Sequence, residues 1–437
     1  MVFNLPELQK IVHPSVIHGQ VSAPASKSMM QRAIAAAILA RGTTVLRNYT
    51  PCNDSDAAIR IAGDFGCRVA VDGSTVSIIS NPDNENHPAG DGTSNRFNVF
   101  SNVINCGESG LGIRMFSAIA ALSDNEIILH GEGSLKKRPV SMLEKPLRQL
   151  GVSIETTNGF VPIKIKGPLK GGNADIDGSL SSQMLTGLLL ALPCARLDSV
   201  FKVTALASKP YIEMTLRLMN DFGVKAYHED YKTFTVKGNQ KYMPIDYSVE
   251  GDWSGAAFLL VAGALGGRVT VTNLDSGSLQ ADVAVLDALK ASGAKVRIDD
   301  KSVSVEKSAL NAFEFNATDS PDLFPPLVTL AAYCSGNSVI SGVGRLKHKE
   351  SDRASVLQKE FARIGTEIIL DGDLMVVKGG SVRGGTMHAN HDHRIAMAGA
   401  VAGIAAKQPV EVENAESVAK SYPGFYDDLA SIGAKIE

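Results

Sequence analysis

An internal repeat, present six times, constrains the fold of this chain more strongly than any other feature of its sequence. Each copy contains a polar turn, a segment with apolar residues at helical spacing, a glycine and a β-rich tail. We predict that each glycine is a helix C-cap with a positive φ angle. The six positions are Gly66, Gly151, Gly223, Gly293, Gly365 and Gly433. The first interval is the longest, and we attribute the excess to a polar insertion at residues 81–98.

A second helix is predicted before each of these amphipathic helices. The six sequence segments that predict these helices begin with polar residues and continue with small and apolar ones, as in SKSMMQRAIAAAILA (26–40) and DWSGAAFLLVAGAL (252–265). Helices that are apolar on most sides are buried, so these six are expected to form the interior. Each leads into a short β-rich segment. The chain is therefore predicted to be an α/β protein built from six similar units.

Composition and charge exclude several classes of function. The formal net charge is −3, which gives no global attraction to nucleic acid or to an anionic membrane. The five cysteines are scattered and form no Cys-x-x-Cys pair, which argues against a disulfide framework and a structural zinc site. The start of the sequence lacks the pattern of a signal peptide, and polar residues, Pro or Gly interrupt the longest uncharged stretches. We expect a cytoplasmic protein.

Polar residues vary at the predicted starts of the buried helices. A set of units that only stack on one another is one explanation of the repeat, but it does not account for this variation. A site assembled from many units accounts for it better. The positions are Lys27–Ser28, Ser109–Gly110, Ser181–Ser182, Asp252, Asp322 and His393–Arg394. For the serines, simple helix capping remains the alternative.

Basic residues recur at element starts and in turns, where helix N-termini also attract anions. They are Lys27, Arg32, Arg114, Arg138, Lys349, Arg353, Arg394 and Lys420. Together with two carboxylates, Asp322 and Glu350, they suit an enzyme that performs acid/base chemistry on a small polyanion. A surface role remains the alternative for any single cation. A zinc site at His391 and His393 is disfavoured by the adjacent Arg394. No P-loop or dinucleotide motif indicates an organic cofactor.

Short motifs in a fixed order along nearly the whole chain resemble the 5-enolpyruvylshikimate-3-phosphate synthase family. They are SKS-x3-R (26–32), KKRP (136–139), SSQ (181–183), SKPY (208–211), PD (321–322), KHKESDR (347–353), DHR (392–394) and AKSYP (419–423). The resemblance implies a two-domain inside-out α/β barrel with three βαβαββ units in each domain. It implies one domain at 25–250, a second at 1–24 plus 251–437, and an active site in a cleft that closes.

The resemblance also implies the reaction and the residues that perform it. The enolpyruvyl group of phosphoenolpyruvate would pass to the 5-hydroxyl of shikimate 3-phosphate by addition and elimination, with no cofactor, in a monomeric enzyme. Shikimate 3-phosphate would contact Lys27, Ser28, Arg32, Ser181, Ser182, Gln183, Ser208, Tyr211, Asp322 and Lys349. Phosphoenolpyruvate would contact Lys27, Gly110, Arg138, Gln183, Arg353, Arg394 and Lys420. Proton transfer would involve Asp322 and Glu350, with Lys27 shared by both substrates.

The sequence departs from the family pattern at three positions. Glu108 stands where Asn is usual, Leu111 where Thr is usual, and Arg345 where an Asn contacts shikimate 3-phosphate. The alternative is the sister enzyme that transfers enolpyruvyl to UDP-N-acetylglucosamine. That enzyme typically has a Cys in the loop matching Ser134–Arg138 and Asn where this chain has Ser28. A second alternative is a non-catalytic anion-binding repeat protein, which would not need Asp322 and Glu350 at separate turns.

Overall fold

A computed structural model describes residues 8–80 and 99–437, which group into two compact units. The central unit is Lys27–Val249, and the terminal unit combines Met1–Ser26, as far as it is described, with Glu250–Glu437. The predicted polar insertion at 81–98 lies outside the described residues. In the part of the chain that is described, no helix has the length and apolar character needed to cross a membrane.

Each unit contains buried helices that alternate with amphipathic ones. In the central unit they are α1 (Lys27–Leu39), α2 (Asn53–Asp64), α3 (Gly110–Ala120), α4 (Glu144–Gln149), α5 (Gln183–Ala191) and α6 (Lys209–Asp221). In the terminal unit they are α7 (Trp253–Gly266), α8 (Val285–Ala291), α9 (Phe324–Ala331), α10 (Arg353–Arg363), α11 (His393–Ile404) and α12 (Phe425–Ser431). The odd-numbered helices are the predicted Ala- and Leu-rich segments. Their burial confirms that these segments form the interior.

The strands are short, as expected of the β-rich tails. The central unit contains β3 (Gly42–Arg47), β4 (Arg68–Asp72), β5 (Thr75–Ser80), β6 (Val103–Asn105), β7 (Glu126–His130), β8 (Ser153–Thr157), β9 (Phe160–Lys166), β10 (Gly172–Asp177), β11 (Ser199–Thr204), β12 (Ala226–Glu229), β13 (Thr233–Val236) and β14 (Asp246–Ser248). The terminal unit contains β1 (Lys10–His13), β2 (Ile17–Ser22), β15 (Gly267–Thr272), β16 (Lys295–Asp299), β17 (Ser302–Glu306), β18 (Glu314–Asn316), β19 (Asn337–Ser341), β20 (Ile368–Asp371), β21 (Leu374–Lys378), β22 (Gly385–His388), β23 (Val410–Glu413) and β24 (Lys435–Ile436).

These strands form six four-stranded sheets with one shared topology among the described residues. In every sheet the first two strands are parallel and the remaining two pairings are antiparallel, as in the order β10-β11-β13-β12. Three sheets lie in each unit, so each unit holds three copies of a βαβαββ arrangement. The predicted α/β class and its six repeats are confirmed.

Two sheets take their parallel first strand from a distant part of the chain. The strand β14 pairs with β3 near the start of the central unit, and β2 pairs with β15 after the chain returns to the terminal unit. The six-fold sequence repeat did not indicate these two distant pairings. The chain passes from one unit to the other between Ser26 and Lys27 and returns between Val249 and Glu250.

The amphipathic helices end as predicted. All six glycines that follow them have positive φ angles, between 82° at Gly223 and 105° at Gly433. A residue with a side chain is strained in this conformation, so glycine is the residue that closes each helix. The helix α4 is shorter than its sequence pattern indicated. It begins only at Glu144, after a 3-10 turn at Ser141–Leu143.

Candidate active site

In the terminal unit, three cationic side chains converge on the carboxylate of Asp322. The Nζ atom of Lys349 and the Nη1 atom of Arg353 donate to its Oδ1 atom at 3.1 and 2.9 Å. The Nη2 atom of Arg394 donates to its Oδ2 atom at 3.1 Å. Asp322 lies in a 3-10 turn directly before α9, and the two arginines lie at the starts of α10 and α11. Two repeats therefore contribute to one cluster, the fifth through Asp322, Lys349 and Arg353 and the sixth through Arg394.

Arg353 is the most deeply buried member of this cluster, with a fully inaccessible side chain. It donates to both carboxylate oxygens of Asp392 at 3.0 and 3.1 Å and to Oε2 of Glu350 at 2.7 Å. Asp392 in turn caps α11 by accepting from the backbone N–H of Arg394 at 3.0 Å. Burial alone would lower the pKa of Arg353, but the carboxylates of Asp392 and Glu350 hold it above its ordinary value. A buried charge needs such partners, and this role of Asp392 was not predicted from the sequence.

The electrostatics of the cluster bear on the acid/base role expected of Asp322. Burial alone would raise the pKa of the Asp322 carboxyl, but Arg394, Lys349 and Arg353 hold it well below its ordinary value. Burial lowers the pKa of Lys349, while Asp322 opposes that shift. Asp322 is therefore an ionised but weak base as long as it keeps these three partners. Drawing the cations away would strengthen it.

A second buried carboxylate, Asp282, belongs to the same electrostatic neighbourhood. Its side chain is 1% exposed, and the Ser254 hydroxyl donates to its Oδ2 atom. Its Oδ1 atom has no hydrogen-bond partner among the described residues. Burial first, and then the charge of Asp322, raises the pKa of Asp282 to about 7. Asp282 could not be recognised from the sequence because it lies within an ordinary amphipathic segment before α8.

Other expected residues of the terminal unit lie in turns. Lys420 is buried and ends the 3-10 turn Ala415–Lys420, which packs against α11. Arg345 lies in the 3-10 turn Val343–Leu346, and its charge contributes to lowering the pKa of Lys349.

In the central unit, Lys27 at the start of α1 pairs with Asp54 in the first turn of α2. The Nζ–Oδ2 distance is 3.0 Å, and both side chains are largely buried. Lys27 was predicted from the sequence, but its partner Asp54 was not. The two residues are brought together by packing between α1 and α2, which no local pattern predicts.

Arg32 is buried in the central unit without a carboxylate partner among the described residues. Its guanidinium donates to the Thr215 hydroxyl at 3.0 Å and to the backbone oxygens of Ser28 at 2.7 Å and Tyr211 at 3.4 Å. Burial lowers the pKa of Arg32 to about 10, although Tyr211 opposes the shift. A buried cation held by neutral groups is unusual, and it is suited to receive an anion. The structure thus joins three residues that the sequence analysis selected: Ser28, Arg32 and Tyr211.

The expected residues Gly110, Arg138 and Gln183 are also brought together, through Arg114. The guanidinium of Arg114 donates to Oε1 of Gln183 at 2.7 Å, to the Gly110 carbonyl at 3.1 Å and to the Pro139 carbonyl at 2.9 Å. Arg138 is buried, and its guanidinium lies so close to Gly110 that a Cβ atom there would overlap it. Glycine at this position therefore makes room for Arg138.

The expected serines Ser181, Ser182 and Ser208 differ in their local structure. The Ser181 hydroxyl accepts from the backbone N–H of Gln183 at 3.1 Å at the start of α5. Ser182 is buried, and its side chain makes no capping hydrogen bond to α5, so the simple capping alternative does not apply to it. Ser208 precedes α6 with a left-handed backbone, φ 57°, which costs a non-glycine residue free energy and is frequent at functional sites.

Metal ligation finds no support in the part of the chain that is described. No group of three or more His, Cys, Asp or Glu side chains there could hold a metal ion, and this includes the surroundings of His391 and His393.

Comparison with known proteins shows which family the chain is similar to. The sequence profile of the EPSP synthase (3-phosphoshikimate 1-carboxyvinyltransferase) family matches residues 11–429. A 3-phosphoshikimate 1-carboxyvinyltransferase of Aeropyrum pernix is 38% identical over 98% of this chain and 96% of its own length. One from Clostridium kluyveri is 35% identical over 98% of this chain and 97% of its own length. The solved EPSP synthase of Acinetobacter baumannii superimposes with a TM-score of 0.79 at 26% identity, covering 98% of this chain and 99% of that protein.

Proposed function

Because the chain belongs to the EPSP synthase family, we propose that the polar clusters of its two units bind the two substrates of that enzyme. The protein transfers the enolpyruvyl group of phosphoenolpyruvate to shikimate 3-phosphate, a step of the shikimate pathway and so of aromatic amino-acid biosynthesis. The observation that carries the proposed site is the convergence of Lys349, Arg353 and Arg394 on Asp322. The central and terminal units correspond to the two domains.

Phosphoenolpyruvate carries a carboxylate and a phosphate, so its site requires several cations. Arginine binds either group in a bidentate manner, and lysine acts as a point charge. The proposed ligands are Arg353, Arg394 and Lys420 of the terminal unit and Lys27, Gly110, Arg138 and Gln183 of the central unit. The burial of the three arginines supports this role, because desolvation strengthens their interaction with an anion.

Shikimate 3-phosphate needs a phosphate site and a hydroxyl site. Arg32 is the proposed centre of the phosphate site, because it is a buried guanidinium without a carboxylate partner among the described residues. Asp322 and Lys349 are the proposed hydroxyl ligands. The remaining proposed ligands are Lys27, Ser28, Ser181, Ser182, Gln183, Ser208 and Tyr211.

The proposed chemistry is addition followed by elimination. The 5-hydroxyl of the acceptor attacks C2 of phosphoenolpyruvate while C3 gains a proton, and the tetrahedral intermediate then loses phosphate and a C3 proton. Asp322 and Glu350 are the proposed proton-transfer groups, with Lys27 shared by both substrates. When anionic substrates compete for Arg394 and Lys349, the field that depresses the pKa of Asp322 weakens. Asp322 then becomes a stronger base for the hydroxyl proton.

The test of this function is phosphate release from phosphoenolpyruvate by the purified protein with each of two acceptors. Release with shikimate 3-phosphate and none with UDP-N-acetylglucosamine is expected. The reverse preference would favour the sister transferase, and no release with either would favour an anion-binding repeat protein. We further propose a cytoplasmic monomer. All the proposed ligands come from one chain and all five cysteines are free thiols, as is usual in a reducing compartment. Light scattering coupled to size exclusion tests the monomer.

A further inference from the structure

In the central unit, the carboxylate of Glu108 is bonded to the turn that carries Arg138. Its Oε2 atom accepts from the backbone N–H of Ser134 at 2.9 Å and from the Ser134 hydroxyl at 2.8 Å. The neighbouring Gly133 has a φ of 47°, and a Cβ atom there would overlap the Glu108 carboxylate. The side chain of Glu108 therefore fits against the first two residues of this turn.

Arg138 directly follows the same turn, and its guanidinium lies over Gly110. Residues Gly133–Lys137 form a 3-10 turn, and the backbone N–H of Arg138 donates to the Leu135 carbonyl at 3.1 Å. A Cβ atom at Gly110 would overlap the Arg138 guanidinium. Glu108 and Gly110 are two residues apart, so one short segment at the start of α3 contacts both the start of the turn and the side chain of the residue that follows it.

Two further bonds fasten the turn to the same segment and to α3. The backbone N–H of Glu132 donates to the Gly107 carbonyl at 2.7 Å. Beyond the turn, Arg114 of α3 donates to the Pro139 carbonyl at 2.9 Å. The turn is thus held before its start, at Ser134 and after its end. Within the turn itself, Glu108 accepts two hydrogen bonds from Ser134.

We propose that Glu108 is a positioning residue for phosphoenolpyruvate: by holding Ser134, it fixes the guanidinium of Arg138 in place for the anionic substrate. The inference rests on the proposed role of Arg138 as a ligand of phosphoenolpyruvate. Fixing a cation in advance avoids the cost of ordering it when the anion binds. The two hydrogen bonds from Ser134 bring the Glu108 carboxylate against the turn.

The test compares Glu108→Ala with Glu108→Gln. The alanine variant removes the acceptor for both Ser134 donors. We expect it to raise the KM for phosphoenolpyruvate on the order of 10-fold, with kcat and the KM for shikimate 3-phosphate changed less than about threefold. The glutamine variant keeps an oxygen acceptor, and it is expected to remain within about threefold of the unaltered protein in all three constants. Equal increases in both variants would overturn the proposal.

A double-mutant cycle separates this inference from the function on which it rests. If Glu108 acts through Arg138, Glu108→Ala adds little to the KM increase caused by Arg138→Ala. Fully additive effects would overturn the positioning role. An unchanged KM for phosphoenolpyruvate in Arg138→Ala would instead remove Arg138 from the proposed site.

Two further variants complete the design. Glu155→Ala removes an exposed carboxylate from β8 of the same unit, and its kinetic constants are expected to be unchanged. If it raised the KM for phosphoenolpyruvate as much as Glu108→Ala does, loss of negative charge alone would explain the effect and the proposal would fail. Ser134→Ala removes one of the two hydrogen bonds. It should give a smaller increase in the same KM, and this prediction can be tested even if Glu108→Ala does not fold.

Discussion

The Nη2 atom of Arg394 lies 3.1 Å from Oδ2 of Asp322, so a proposed ligand of phosphoenolpyruvate is paired with a proposed catalytic carboxylate. Arg353 is paired with the same carboxylate at 2.9 Å. An anionic substrate must therefore compete with Asp322 for these two arginines. Competition of this kind links binding to chemistry, because withdrawing the cations makes Asp322 a stronger base.

This relationship predicts opposite effects of Asp322→Asn on binding and on turnover. The variant removes the charge that competes for Arg394 and Arg353, so phosphoenolpyruvate is expected to bind several-fold more tightly by titration calorimetry. Turnover is expected to fall on the order of 10²- to 10⁴-fold because the base is lost. A folded variant with near-normal turnover would remove Asp322 from the chemistry. Weaker binding would contradict the competition.

Glu350→Gln tests the other proposed proton-transfer group. Glu350 accepts from Arg353 at 2.7 Å, and a glutamine oxygen can accept the same hydrogen bond. We expect a rate loss on the order of 10²- to 10⁴-fold in single-turnover experiments. Affinity for shikimate 3-phosphate should be retained better than in Asp322→Asn, because Asp322 keeps its ion pairs with the three neighbouring cations. A normal single-turnover rate would assign Glu350 a purely structural role.

Arg32→Ala and Ser182→Ala test the phosphate site of the acceptor. Each is expected to weaken shikimate 3-phosphate binding far more than phosphoenolpyruvate binding. A hydrogen bond to a charged group contributes about 1.5–3 kcal/mol, which corresponds to a loss of roughly 10- to 100-fold in affinity. Isothermal calorimetry with each ligand provides the measurement. Unchanged acceptor affinity in both variants would exclude these residues from the site.

Asp282 predicts a pH dependence of stability. Burial and Asp322 raise its pKa to about 7, so the folded protein binds more protons than the unfolded chain between about pH 4 and pH 7. The stabilisation is present at low pH and is lost as the pH rises through the folded pKa. The slope reaches at most about 1.4 kcal/mol per pH unit. The other charges that act on Asp282 are Arg394 and Asp252.

Asp282→Asn cannot titrate and lacks this contribution. Its free energy of unfolding relative to the unaltered protein should therefore increase between pH 5 and pH 8, measured by denaturant titration. A difference between the two proteins that stays constant across this range would show that Asp282 does not titrate there.

The parts of the fold that were predictable depend on local signals. The glycines at the ends of the amphipathic helices report their own backbone conformation, as Gly66 and Gly365 illustrate with φ angles of 83° and 95°. Buried helices such as α7 are recognisable because nearly all their residues are small or apolar. The strand β14 was not predictable as a partner of β3, because their pairing joins segments about 200 residues apart, Asp246 with Val45.

In the candidate site, too, residues with a local sequence signal were predictable and contacts between distant residues were not. Motif resemblance identified Asp322, Arg353 and Arg394, but it could not show that the two arginines pair with Asp322. Asp282 carries no local pattern, and its raised pKa arises from burial and from a residue 40 positions away in sequence, Asp322. Such properties depend on tertiary packing, so they are read from the structure rather than from the chain.

The most direct test of the function is a ³¹P NMR time course of the purified protein with phosphoenolpyruvate and shikimate 3-phosphate. The phosphoenolpyruvate and shikimate 3-phosphate resonances should decrease together, while inorganic phosphate and the phosphate monoester of the product appear in equal amounts and vinyl protons of the product appear in the ¹H spectrum. Phosphate released without a vinyl product would indicate hydrolysis rather than transfer. That result, or no consumption of either substrate, would contradict the account.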